Sequence, residues 1–185
     1  MDIIEVKAIQ DFVNGTLSGE GVNVTQKLYK DAKSFYASID ESLSDDTIMY
    51  EVYQYSVGDA AKKGNLDWGI TVMKPVYVQG ECNVTRGHFH NDLDCDEIYF
   101  CMTGEGLLLY MDEKGECYAE KMAPGSVHHI DGKLAHRLVN TGDVDMRIGC
   151  CWPTTAGHDY ARIEAHPFTV RIFRKGDEIE VKDVR

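Results

Sequence analysis

From about residue 48 onward, short runs of aliphatic, aromatic and β-branched residues alternate with polar breaks. The runs are IMYEVYQYSV, WGITVMKPVYV, DEIYFCMTG, EGLLLYMDE, ECYAEKMA, SVHHID, HRLVNTG, VDMRIGCCWP and FTVRIFRKGDEIEV. The breaks TGEG, DEKGE, APGS and NTGD carry turn residues. Many short strands separated by turn signals at such spacing predict an all-β sandwich or barrel. Gly104, Gly106 and Gly115 mark hairpins between successive strands. One segment breaks the pattern. Val24 to Tyr36, VTQKLYKDAKSFY, reads as a helix and is followed by the polar, turn-rich SIDESLSDD. The expectation is an all-β fold with a small helical N-terminal part, its barrel core over roughly 48–165.

The 185 residues suffice for one domain with a full core, so 1–185 is expected to be a single domain. No solenoid repeat, low-complexity tract or linker interrupts it. Hydrophobic residues make up 43% and charged residues 27%, as in a water-soluble globular chain. The formal net charge of −12 opposes nucleic acid as a partner, since phosphate backbones require a basic surface. A single small phosphorylated ligand needs only a few local donors. The opening residues lack a basic region followed by an apolar run, and no stretch approaches the ~18 apolar residues of a membrane span. A cytoplasmic location and no membrane partner are therefore expected. The six cysteines, Cys82, Cys95, Cys101, Cys117, Cys150 and Cys151, form no C-x-x-C pair and read as free thiols of a reducing compartment.

The chemistry concentrates in Gly87-His88-Phe89-His90, followed after six residues by Glu97. In a strand, side chains two apart share a face, so His88 and His90 form a two-toothed clamp. The turn NDLDCD lets the strand beginning at Glu97 lie alongside, and His136 opens another strand. Three imidazoles and a carboxylate suit one divalent cation, with Fe2+ the leading choice and Mn2+, Ni2+ and Zn2+ alternatives. His128, His129 and His166 belong to no motif and read as ordinary surface or core residues.

His-x-His, Glu97 and Gly104, then Gly125, His136 and Asn140, resemble the two motifs of the cupin superfamily, which implies a single jelly-roll barrel. The interval from His90 to Glu97 is longer than the common form, and Asp131 and Lys133 stand where Pro and Gly are usual. The segments TRGHFHNDLDCDEIYFCMTGEG, KMAPGSVHHIDGKLAHRLVNTGD and WPTTAGHDYARI more narrowly resemble the cupin-type glucose-6-phosphate isomerases, over roughly residues 45–165. That resemblance implies a metal-dependent isomerase of glycolysis and gluconeogenesis, active on a sugar phosphate and commonly a homodimer. It implies His88, His90, Glu97 and His136 as ligands, with Glu97 also the catalytic base. Thr71, Thr85 and Gly87 would receive the phosphate, helped by Tyr99, His158, Tyr160 and Tyr50. Neutral hydroxyls and a glycine amide are suitable donors to a phosphate dianion. Arg86, alternating with Thr85 and Gly87, is assigned to the opposite strand face. Trp152 stands where the family commonly has Tyr, which keeps an aromatic wall and loses a hydroxyl.

Interconverting an aldose and a ketose moves hydrogen between C1 and C2. A base can carry a proton through a cis-enediol, or a hydride can shift directly. Two other functions are compatible with the same ligand set: a cupin dioxygenase, and a non-enzymatic sugar-binding cupin.

Overall fold

The computed structural model describes residues 1–185 and is about 48% strand and 7% helix. The strands are β1 (Ala8–Asp11), β2 (Thr16–Gly19), β3 (Val22–Leu28), β4 (Ile48–Tyr55), β5 (Leu66–Met73), β6 (Tyr77–Val78), β7 (Glu81–Val84) and β8 (Glu97–Thr103). They continue with β9 (Gly106–Met111), β10 (Cys117–Met122), β11 (Val127–Ile130), β12 (Ala135–Asn140), β13 (Met146–Pro153), β14 (Val170–Lys175) and β15 (Glu178–Asp183). Two short α-helices, α1 (Tyr29–Ala32) and α2 (Tyr160–Ala165), and a 3-10 turn at Lys33–Phe35 complete the chain. No helix is long and apolar enough to cross a membrane.

Two curled antiparallel sheets face one another. One has the order β11-β8-β13-β5-β4-β3; the other runs β10-β9-β12-β7-β14-β15, with β6 beside β7. Period-2 burial drives the facing. Along β8, Glu97, Tyr99 and Cys101 are buried while Ile98 and Phe100 are exposed. Met49, Met73, Leu108, Tyr110, Leu138 and Ile148 belong to a core of 27 buried residues. Asn140 ties the sheets together by donating from Nδ2 to the Met73 carbonyl at 3.1 Å. All six cysteines are free.

The outer face of the six-stranded sheet is covered by the β1–β2 hairpin. Leu17 of β2 packs with Ile70 and Val72 of β5, and Trp68 Nε1 donates to Gln10 Oε1 at 3.2 Å. Two tryptophans clasp strands β5 and β13 from opposite faces. Trp68 lies over Gly149, and Trp152 lies over Gly69; a Cβ on either glycine would meet an indole carbon at 2.9 Å.

The expected helix over Val24 to Tyr36 is not formed. Val22–Leu28 is instead an edge strand paired with β4 through most of its length, Val22 opposite Tyr55 and Lys27 opposite Tyr50. Of the segment, only Tyr29–Ala32 forms α-helix, followed by one 3-10 turn at Lys33–Phe35. Local helix propensity is a weak preference, and a complete ladder to a neighbouring strand overrides it.

Candidate metal centre and substrate pocket

β7 ends at Val84, and Thr85, Arg86 and Gly87 lead into a short irregular stretch. Gly87 has φ of +74°, where an L side chain is strained, and a Cβ there would lie 2.6 Å from Phe168 Cε2 and 3.1 Å from the His136 carbonyl. This turn presses His88 against β12. The His88 and His136 backbones exchange hydrogen bonds of 3.3 and 3.1 Å. Phe89, between the two histidines, is buried on the opposite side.

The ligand atoms of His88, His90, Glu97 and His136 all lie within 4.8 Å of one another. Glu97, His90 and His136 are 5%, 2% and 1% exposed. His90 Nδ1 is 2.6 Å from the Cys95 carbonyl, which fixes the proton on Nδ1 and turns the Nε2 lone pair inward. Glu97 Oε2 stands 3.3 Å from Nε2 of both His90 and His136. His88 Nε2 and His136 Nε2 are buried without a hydrogen-bond partner. Buried acceptors converging without donors are costly unless a cation lies among them. The donor set therefore fits a divalent metal, and nothing in it selects one metal.

Electrostatics follow from this crowding. Burial, followed by the repulsion of His136 and His158, holds His88 far below the usual imidazole range. Burial would raise Glu97, but the imidazoles of His136 and His90 close beside it outweigh burial and hold its carboxyl below the usual range. Burial pushes the Tyr99 hydroxyl far up and the Tyr50 hydroxyl to about 12, so both act as neutral donors at ordinary pH.

Above this cluster opens a cavity of about 440 Å3. Tyr50, Thr71, Thr85, Gly87, Tyr99, His158 and Tyr160 all line it, together with His88, Glu97 and His136. The cavity thus gathers every sequence-predicted site residue except His90, which lies beneath its floor within the His/Glu cluster. His158 meets His88 edge-on, ring centroids 4.3 Å apart, and stacks on Tyr160 at 5.7 Å. Asp159 positions both: its backbone N–H donates to the Phe89 carbonyl, and its side chain caps α2 by accepting from the Arg162 N–H at 2.9 Å.

Arg86 corrects the sequence reading. It lines the cavity, its guanidinium 4.2 Å from the Tyr160 ring centroid and paired with Glu164. Strand alternation fails here because the strand has already ended and Gly87 adopts a left-handed conformation. Lys27, Thr25 and Gln26 also line the cavity and were hidden by the helical reading of their segment. Trp152 is a wall residue rather than remote packing.

The sequence model of the glucose-6-phosphate isomerase (GPI) family matches residues 23–183. The chain belongs to the glucose-6-phosphate isomerase family. Its similarity to glucose-6-phosphate isomerase of Thermococcus litoralis is 31% identity over 179 residues, 94% of this chain and 91% of that protein. With the enzyme of the same name from Pyrococcus horikoshii it shares 33% identity over 94% of this chain and 92% of that protein. With that from Thermococcus onnurineus it shares 36% over 77% and 75%. Among solved structures, oxalate decarboxylase from Bacillus subtilis superposes with a TM-score of 0.46 at 14% identity, over 59% of this chain and 26% of that one. The family match spans both walls of the cavity, from Lys27 on β3 to Tyr160 on α2.

Proposed function

We propose that this chain is a metal-dependent isomerase that interconverts glucose 6-phosphate and fructose 6-phosphate in glycolysis and gluconeogenesis. One cupin jelly-roll domain, residues 1–185, carries the activity in the cytoplasm as a homodimer. The observation that carries the reading is the unpartnered His88 and His136 nitrogens beneath a cavity with hydroxyl and cationic walls. His88, His90, Glu97 and His136 hold the ion, with Fe2+ the first candidate. A bound divalent cation supplies charge stabilisation to oxygens at the reacting carbons.

The chain's own groups do the rest. Thr71, Thr85 and the Gly87 N–H bind the phosphate, and Arg86 and Lys27 add positive charge. Tyr50, Tyr99, His158 and Tyr160 enclose and orient the sugar. Glu97 is the base that moves the proton between C1 and C2. A hydride shift, the alternative route, leaves Glu97 as a ligand only. The dimer is supported by exposed apolar side chains at the N-terminus, including Ile3, Ile4, Phe12 and Val13.

The test is formation of glucose 6-phosphate from fructose 6-phosphate by protein as purified, stripped with EDTA, and reloaded with Fe2+, Mn2+, Ni2+ or Zn2+. Activity lost and restored is the expected result. No turnover with metal bound, or oxygen consumption in its place, overturns the reading. Solvent deuterium in the product supports the proton route through Glu97.

A further inference from the structure

A second cavity, of about 300 Å3, adjoins the first and shares Gln54, Trp152 and His158 with it. It lies one step further along the same inner sheet face. On β5, Thr71, Gly69 and Asp67 alternate onto that face, and Asp67 pairs with Trp152 of β13. Extending the β8–β13 register by one residue past the Cys151–Ile98 pair brings Trp152 level with Glu97. Asp67 is thus two strands across from the metal-binding carboxylate.

Asp67 is only 6% exposed, and its Oδ1 is buried with no hydrogen-bond partner. Its Oδ2 accepts from Gln54 Nε2 at 2.9 Å, an amide that also donates to Ser56 Oγ at 3.1 Å. Thr154 Oγ1, lining the same cavity, is likewise buried and unpartnered. No lysine or arginine lines this space. A buried carboxylate oxygen and a buried hydroxyl left without partners call for a ligand that brings donors. A phosphate would be repelled by Asp67, whereas a neutral hydroxyl satisfies both atoms.

We infer that Asp67 and Thr154 form a specificity-determining subsite that hydrogen-bonds hydroxyl groups of the sugar. The inference rests on the isomerase reading for its substrate class. Its physical consequence is polarity of the whole pocket. Lys27 lies six register positions from Asp67 across β3–β5, since it stands opposite Tyr50, which pairs with Met73. Positive charge at the Lys27 and Arg86 end and negative charge at the Asp67 end admit a sugar phosphate in one orientation.

The test uses metal-loaded full-length protein and two probes, glucitol 6-phosphate as an open-chain polyol phosphate and inorganic phosphate. Calorimetry compares wild type, Asp67→Ala, Asp67→Asn and Thr154→Val. A hydrogen bond to a charged group supports an expected loss of about 10- to 100-fold in polyol phosphate affinity for Asp67→Ala. Thr154→Val loses less, and inorganic phosphate binding is unchanged or tighter in both Asp67 variants. Equal affinities in all proteins mean that water alone satisfies Asp67 and overturn the subsite. Parallel weakening of both probes marks a general loss of pocket structure and also overturns it. The readout separates the two ideas. Wild type that discriminates through Asp67 but turns over no fructose 6-phosphate keeps the subsite and sinks the isomerase. Turnover with KM unmoved by Asp67→Ala does the reverse.

Discussion

The floor of the pocket and its α2 side hold their residues by different means. On the floor, His90, Glu97 and His136 are almost wholly buried and set by backbone bridges between strands. On the α2 side, His158 and Tyr160 are exposed and depend on a cap, two stacked guanidinium groups and two charge pairs. Arg86 stacks on Tyr160 and pairs with Glu164, while Arg162 stacks on Phe89 and pairs with Glu113 at 2.8 Å. The geometry of the His/Glu cluster is therefore built into the sheets, where moving one member disturbs packing. The side chains that α2 brings to the cavity are adjustable, because exposed pairs and one capped turn carry little energy.

The largest expected effect tests the floor. His136→Ala or His90→Ala should lower bound metal and cut turnover by more than about 100-fold, since even outer-shell partners of metal ligands are worth ~10–100-fold. Metal content by elemental analysis and the coupled assay check this. EDTA should lower Tm in wild type, because an ion that binds only the folded chain stabilises it, and should leave these variants unmoved.

Gly87→Ala comes next. It places a Cβ against Phe168 and forces φ of +74° on an L residue. A cost of about 1–3 kcal/mol corresponds to a Tm lower by roughly 3–10 °C for a chain of this size. A thermal melt that matches wild type would detach the turn from the rigidity of the floor.

On the adjustable side, Arg86→Ala should raise KM by about 10-fold or more while leaving metal content unchanged. Because Arg86 contacts α2 through Tyr160 and Glu164 as well as lining the cavity, Glu164→Gln separates the roles. A KM close to wild type for that variant assigns the Arg86 effect to substrate. The smallest effect belongs to Asp159→Ala, which removes a helix cap worth about 1 kcal/mol. Faster proteolysis within 154–166 at nearly unchanged Tm is expected. A large drop in global stability would mean that α2 is part of the rigid unit after all.

The His88–His90 pair of the cluster was legible because its spacing is local: His-x-His in an extended stretch shares a face, whereas His136 comes to it only through the β12 pairing. Tyr99, two residues from Glu97 on β8, came only from the family resemblance. The charged wall was not. Lys27 sits in a segment whose composition suits a helix, and its strand state depends on β4, more than twenty residues away in sequence. Arg86 was misassigned because alternation was extended through a position where Gly87 turns left-handed. The unpartnered Oδ1 of Asp67 has no sequence signature, since its burial without a donor arises only when β4, β5 and β13 close over it.

The clasp of Trp152 over Gly69 bears on how such a pocket can change through time. Gly69 lacks a side chain where the indole lies 2.9 Å from the position a methyl group would take, with the Tyr53 carbonyl close behind. Enlarging position 69 first would drive the ring into the cavity, and shrinking position 152 first would leave a hole beside the metal ligands. The two sites are therefore tied as a pair. A lineage that exchanges the aromatic wall passes through a weakened intermediate, whichever substitution comes first, and its pocket shape is inherited in steps of two.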